Sequence, residues 1–184
     1  MPPMRRGHWP GIPPRSPAVV DVGVMANDPL TIALGSDHAG FPLKSVLARA
    51  LRDAGHKVLD FGTHSAERVD YPDYAHAVCR AVEGGQAGAQ ASASPRFGVL
   101  VCGSGVGMSI TANRHAGIRC VLASEPVTAS LARAHNNANV LALGGRLIGD
   151  DMALAILRAF LAGTYEGGRH DARLAKLTPS EGNP

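Results

Sequence analysis

Apolar runs of strand length alternate with segments of helical periodicity through the middle of this chain, and that alternation constrains its fold more than any other feature. The runs are LTIALGS (30–36), HKVLDFG (56–62), FGVLVCG (97–103), IRCVLAS (118–124) and NVLALGG (139–145). After the first, FPLKSVLARALRDAG (41–55) places Pro42 in a first helical turn, sets Leu43, Val46, Leu47, Ala50 and Leu51 on one face, and stops at Gly55. Further helices are expected from about Tyr74 to Val82, from about Val106, from about Pro126, and from about Asp151 to Ala162. Strand–helix alternation demands crossovers, which are right-handed and leave helices on both faces of a parallel sheet. The predicted class is α/β, with about five parallel strands.

At 184 residues, 45% hydrophobic and 18% charged, the chain suits one globular domain with tails. Aromatic residues make up only 4%, so Val, Leu, Ile and Ala must build the core. Residues 1–29 carry many prolines and read as a disordered extension; Asp21 breaks the one short apolar stretch, which makes a poor secretory signal. Folding is expected to begin near Leu30, with Met25 as an alternative start. A domain at 30–177 is expected, with a small-residue flexible insert at 85–96 and a tail at 178–184. A net charge of +3, with arginines spread along the chain and no interleaved aromatics, argues against nucleic acid. No apolar run is long enough to span a membrane. Cys79, Cys102 and Cys120 are odd in number, widely spaced and apolar in context, which predicts reduced thiols in a cytosolic protein.

In an open parallel sheet, ligands bind beyond the carboxyl ends of the strands. There the sequence places SDHAG (36–40), FGTHSAERVDY (61–71), CGSGVG (102–107), SEP (124–126) and GGR (144–146). Gly103, Gly105 and Gly107 permit positive φ and let successive amides point at an anion. Cys102 enters that turn, where amide dipoles favour a thiolate, while Cys79 and Cys120 read as core thiols. A dinucleotide site competes, because Glu125 ends the next strand about twenty residues on, but Met108 and Ile110 fill the third-glycine positions. No P-loop GK[ST] is present either. Asp37 and His38 stand at the first strand's end, His135 and Asn136 at the end of a helix. Arg169 and Arg173, four residues apart, join Arg146 as possible clamps for a dianion. His8, His56, His64, His76 and His115 find no partner by spacing, and nothing resembles HExxH, so no metal is expected.

The segments IALGSDHAGFPLK, ERVDYPDYA, VCGSGVGMSITANRHAGIRCVLASEP, ARAHNNANVLALGGRLIG and YEGGRHDARL together resemble the ribose-5-phosphate isomerase B family, which also holds the galactose-6-phosphate isomerase subunits. The resemblance runs from about Thr31 to Leu177. It implies a three-layer Rossmann-like fold, a homodimer or tetramer with active sites shared at the interface, and interconversion of ribose 5-phosphate with ribulose 5-phosphate without metal or cofactor. By the same resemblance Cys102 moves a proton between C1 and C2, and Ser104 with the turn Gly103, Gly105, Val106 and Gly107 surrounds the enediolate. His135 opens the sugar ring beside Asn136, Asp37 contacts sugar hydroxyls, and His38 and Tyr71 line the pocket. Arg146, Arg169 and Arg173 surround the phosphate, and some of these residues come from the partner chain. Allose 6-phosphate, galactose 6-phosphate or a tetrose phosphate would use the same machinery, and a non-catalytic sugar-phosphate or nucleotide-binding module is the alternative outside enzymes. In the galactose-6-phosphate enzymes one subunit type lacks the cysteine and the other lacks the histidine and terminal arginines. This chain has them all, which favours a self-sufficient homo-oligomer acting on ribose 5-phosphate.

Overall fold

The computed structural model describes residues 29–87 and 95–177. Residues 1–28 of the expected extension, 88–94 of the expected insert and the tail at 178–184 lie outside the described residues. In chain order the elements are β1 (Thr31–Ser36), α1 (Phe41–Asp53), β2 (Lys57–Asp60), α2 (Tyr71–Ala87), β3 (Phe97–Cys102), α3 (Val106–Ala112), β4 (Cys120–Leu122), α4 (Pro126–Asn136), β5 (Val140–Gly144) and α5 (Asp150–Ala162). A 3₁₀ turn (Gly168–His170) and the short α6 (Asp171–Leu174) follow. The five strands form one sheet in the order β2-β1-β3-β5-β4, and every pairing is parallel.

Successive side chains of a strand point to opposite faces, and two apolar layers result. Ile32, Val99, Val101, Leu141 and Leu143 pack with Leu47, Ile156, Leu157 and Phe160 on the side of α1, α4 and α5. Ala33, Leu100, Cys102 and Ala142 pack with Val78, Val82, Met108 and Ala112 on the side of α2 and α3. The architecture is therefore three layers, helices over a parallel sheet over helices. The aliphatic core expected from the composition carries one aromatic pair, Phe97 edge-on to Phe160 at 5.6 Å.

Three elements differ in their bounds from the sequence expectation. β2 and β4 are shorter than their apolar runs because each lies at an outer edge of the sheet and is paired on one side only. Helix α2 starts at Tyr71 rather than Tyr74, since Pro72 in its first turn already holds the φ a helix needs. It also continues to Ala87, past Gly84 and into the insert expected from residue 85. Its buried face of Ala75, Val78, Cys79 and Val82 outweighs the propensity that glycine costs.

The chain leaves β1 toward β2 on one side and comes back to β3 on the other. This reversal opens a crevice at the carboxyl ends of β1 and β3, the usual place for a ligand in such a sheet.

Candidate active site

Cys102 is the last residue of β3 and is 5% exposed, with its side chain in the α2–α3 layer. The backbone turns immediately, and the Gly105 amide donates to Cys102 Sγ at 3.1 Å. A thiol among apolar side chains thus accepts a hydrogen bond from a backbone N–H. Of the three glycines in this turn only Gly105 has positive φ, at +77°. A Cβ there would also sit 2.5 Å from Leu122 Cδ1 and 2.9 Å from the Leu143 carbonyl carbon. The sequence permits positive φ at all three positions, and the turn uses it at one. Gly107 is small for a different reason: a Cβ on it would lie 2.6 Å from Tyr71 Cζ, so the glycine makes room for the tyrosine ring. Ser104 is exposed on the turn, its Oγ 3.4 Å from the Val106 amide.

Neighbouring strand ends surround this turn. Gly145 N–H donates to the Cys102 carbonyl at 2.8 Å and Arg146 N–H to the Gly103 carbonyl at 3.0 Å. The Arg146 side chain follows, its Nη1 3.6 Å from where a Gly103 Cβ would stand. On the β1 side, the Asp37 amide donates to the Val101 carbonyl at 3.3 Å, and Asp37 Oδ1 accepts from Gly40 N–H at 2.9 Å. The carboxylate thus holds its own turn closed, and Gly40 passes so near β3 that a Cβ would meet the Val101 oxygen at 2.2 Å. His38 Nδ1 accepts from the Val69 amide at 3.3 Å, which leaves the proton of a neutral ring on Nε2. That bond ties down the loop leading to Tyr71. The other end of the loop is fixed by a half-buried ion pair: the buried Lys44 Nζ lies 2.7 and 2.8 Å from the Asp60 carboxylate, which also accepts from Gly62 N–H.

His135, Asn136, Arg169 and Arg173 are elsewhere. His135 and Asn136 end α4, whose exit leads into the first residue of β5, so they stand at the amino edge of the sheet. The tail folds back to the same place, with the Glu166 amide donating to the Ala134 carbonyl at 3.0 Å. The His135 ring stacks on His170 at 4.5 Å with a 10° interplanar angle, and both Nε2 atoms face Glu166 Oε2, at 3.8 and 3.7 Å. Arg169 Nε is 3.3 Å from His170 Nε2. Burial first, then His135, Arg169 and Arg173, hold His170 below the ordinary imidazole range, against the pull of Glu166. Glu166 and His170 were not singled out from the sequence, although EGGRH sets them four residues apart. His135, Glu166 and His170 bring potential metal ligands within 4.8 Å of one another. The rings lie face to face, so neither donates to the other; both Nε2 atoms turn to Glu166, with Arg169 beside His170 Nε2.

Other sequence expectations find specific outcomes. Glu125, weighed as a dinucleotide ligand, caps α4 by accepting from the Val127 and Thr128 amides at 2.6 Å each and from the Thr128 hydroxyl. That hydroxyl, first among these bonds, holds its carboxyl below the usual range. Histidines that spacing left without partners find neighbours in the fold, most of them through tertiary contact. His115 bridges Glu83 at 2.9 Å and His76 at 2.8 Å, His56 Nδ1 accepts from the Leu30 amide at 3.2 Å, and His64 lies 4.0 Å from Asp60. His8 lies outside the described residues. Burial pushes the Cys79 and Cys120 thiols up to about 12, the behaviour of core cysteines.

Comparisons with known proteins agree on one group. Residues 32–177 match the family described as Ribose/Galactose Isomerase. The chain is 48% identical over 150 residues to ribose-5-phosphate isomerase B of Escherichia coli, covering 82% of this chain and 95% of that one. A crystal structure of a ribose 5-phosphate isomerase from Thermotoga maritima superposes with a TM-score of 0.74 at 47% identity, over 80% of this chain and 96% of that chain. Ribose-5-phosphate isomerase B from Mycoplasma genitalium, solved with bound ribulose-5-phosphate, matches with a TM-score of 0.73 at 36% identity, over 80% and 93%.

Proposed function

The chain belongs to the ribose/galactose isomerase family, and from that premise we propose that it interconverts ribose 5-phosphate and ribulose 5-phosphate through an enediolate. The observation that carries the reading is the Gly105 amide directed at Cys102 Sγ. As thiolate, Cys102 takes the proton from C2 of the open-chain aldose; the C2 electron pair moves into the C1–C2 bond and the C1 carbonyl oxygen becomes an oxyanion. The thiol then returns the proton to C1, while the proton of the C2 hydroxyl passes to the C1 oxyanion, leaving a hydroxyl on C1 and the ketose carbonyl at C2. Because the Gly105 amide serves the sulfur, stabilisation of the oxyanion falls to Ser104 and the remaining turn amides, including those of Gly103, Val106 and Gly107. Asp37 and His38, with Tyr71 lying against Gly107, frame the sugar, and Arg146 takes part in holding the phosphate.

Ring opening is assigned to His135 beside Asn136, and the remainder of the phosphate grip to Arg169 and Arg173, all at the far edge of the sheet. A second copy supplies them. The unpaired side of β4 is flanked by exposed apolar side chains, with Val127 64% and Ile110 55% exposed beside Leu122, Val106 and Leu131. A two-fold pairing across this patch would bring the carboxyl edge of one copy to the amino edge of the other. No helix among the described residues is long and apolar enough to cross a membrane.

The direct experiment is ribulose 5-phosphate formation from ribose 5-phosphate by the full chain, alongside allose 6-phosphate, galactose 6-phosphate and a tetrose phosphate. The highest kcat/KM is expected for ribose 5-phosphate. A higher value for a six-carbon sugar would reassign the substrate, and turnover of none of them would leave only a binding module.

A further inference from the structure

A cavity of about 490 Å³ opens at the amino edge of the sheet, with Leu30 and Phe97 among its apolar lining and Arg96, Arg133 and Thr164 among its polar lining. It is separate from the histidine cluster. Arg133 and His135 are two residues apart on α4, so they point about 200° from each other around the helix.

Arg133 is 3% exposed, yet among the described residues no acid forms an ion pair with it. Its guanidinium lies 4.6 Å from the Phe97 ring centre and 5.8 Å from that of Phe160. Nη1 donates to the Ala138 carbonyl at 2.6 Å and to Asn137 Oδ1 at 3.1 Å, bonds that secure the turn from α4 into β5. Nε is closed off from solvent. A guanidinium offers five N–H donors, and the bonds to the turn leave the Nε–H without an acceptor among the described residues.

The surroundings add positive charge. Burial, then Arg96 and Arg119, push Arg133 down to about 10. Arg119 is itself held low by burial, and its Nε donates to the Asn137 carbonyl at 2.9 Å. The carboxylate bonded to a lining residue, Asp171, accepts from the Tyr165 hydroxyl at 2.7 Å. Among the described residues no salt bridge joins Arg96, Arg119 or Arg133 to an acid. A buried cation left without a counter-charge is costly, and Arg96 at the same opening adds a second positive charge.

We propose that this cavity binds a small organic anion, its carboxylate or phosphate head between Arg133 and Arg96 and its apolar body against Leu30 and Phe97. The site is independent of the isomerase reading. The test follows the Arg133 side-chain Nε–H resonance of the full chain by NMR while benzoate, phenyl phosphate or inorganic phosphate is added. Benzoate and phenyl phosphate are expected to move that resonance saturably. Arg96→Gln, a change at an exposed side chain, should weaken both about tenfold, as loss of one charge-assisted contact does, with turnover of ribose 5-phosphate unchanged. Arg169→Ala should leave both affinities as they were. No movement up to about 50 mM, which exposes any millimolar affinity, would overturn the proposal. So would equal affinity in Arg96→Gln, loss of binding in Arg169→Ala, or a response to inorganic phosphate alone.

Discussion

At the carboxyl edge of the sheet, the side chains around Cys102 other than Tyr71 are carried by strand ends or tight turns held by backbone bonds, such as Gly105 N–H to Sγ and Arg146 N–H to the Gly103 carbonyl. At the amino edge the comparable cluster is built from side chains, with His135 on α4 meeting Glu166, Arg169 and His170 from a tail that returns some thirty residues later. One edge is set by where glycine permits the chain to go, the other by groups that titrate. They are also far apart, since β5 alone puts roughly 13 Å between them. Ring opening acts at atoms bonded to C1, and proton abstraction acts at C2. In the roles proposed above, Cys102 and His135 of one chain cannot serve the same sugar.

The largest expected effect tests that separation. Cys102→Ala and His135→Ala should each lower kcat by roughly 10³-fold, the scale of a lost general acid or base. Unfolding and refolding the two variants together in equal amounts should restore about a quarter of wild-type activity, because half the dimers are mixed and each mixed dimer holds one intact site of two. Absence of recovery, with mixed dimers confirmed by mass spectrometry, would put Cys102 and His135 of one chain in the same site and end the contrast between edges.

Next in size is a change confined to the glycine-built edge. Gly105→Ala places a Cβ at φ +77° and against Leu122 and Leu143, with an expected loss of about 3 kcal/mol in stability from strain and overpacking together. Gly103→Ala meets nothing closer than 3.5 Å and should leave the melting temperature nearly unchanged. Chemical denaturation of the pair measures the difference, and equal losses would show that the turn is not held as described.

The two edges also differ in how far they could be read from sequence. SDHAG and CGSGVG were legible because the residues that hold each turn lie within it, as Asp37 with Gly40 and Cys102 with Gly105 show. Glu166 and His170 escaped because they meet His135 only after α5 and the tail have folded, and His115 with Glu83 and His76 escaped for the same reason. One signal was available: RAHNNAN precedes a strand rather than following one, and the alternation alone puts such a segment at the amino edge. The roles of Gly103 and Gly107 were not legible, since the Tyr71 ring that fills the space at Gly107 comes from a different helix.

A smaller effect is expected from the arginines of the amino edge. Arg169→Ala removes a charge-assisted contact assigned to substrate phosphate and should weaken inhibition by inorganic phosphate by about 2 kcal/mol. The same substitution frees His170 Nε2 from its neighbour. An unchanged inhibition constant would leave the phosphate to Arg146 and return the clamp wholly to the carboxyl edge.

The smallest effect separates the edges by pH. His56 lies at the amino edge, buried, with Nδ1 accepting from the Leu30 amide and Nε2 without a partner among the described residues. Burial holds it below the ordinary imidazole value, near 6.5. Well above pH 6.5 neither folded nor unfolded His56 binds a proton, and it contributes no slope. As pH falls below that value the unfolded residue takes a proton that the folded one refuses, so stability is lost until the folded group also titrates. His170 acts in the same direction. His56→Asn keeps an acceptor for the Leu30 amide but cannot titrate, so its melting temperature should fall less than wild type between pH 7.5 and 5.5, by about 2 °C on the scale of a domain this size. Hydrogen exchange in the same range should open Leu30 and the α4–β5 turn before the Cys102 turn. Opening in the reverse order would mean that the backbone-built edge, and not the titratable one, is where acid enters the fold.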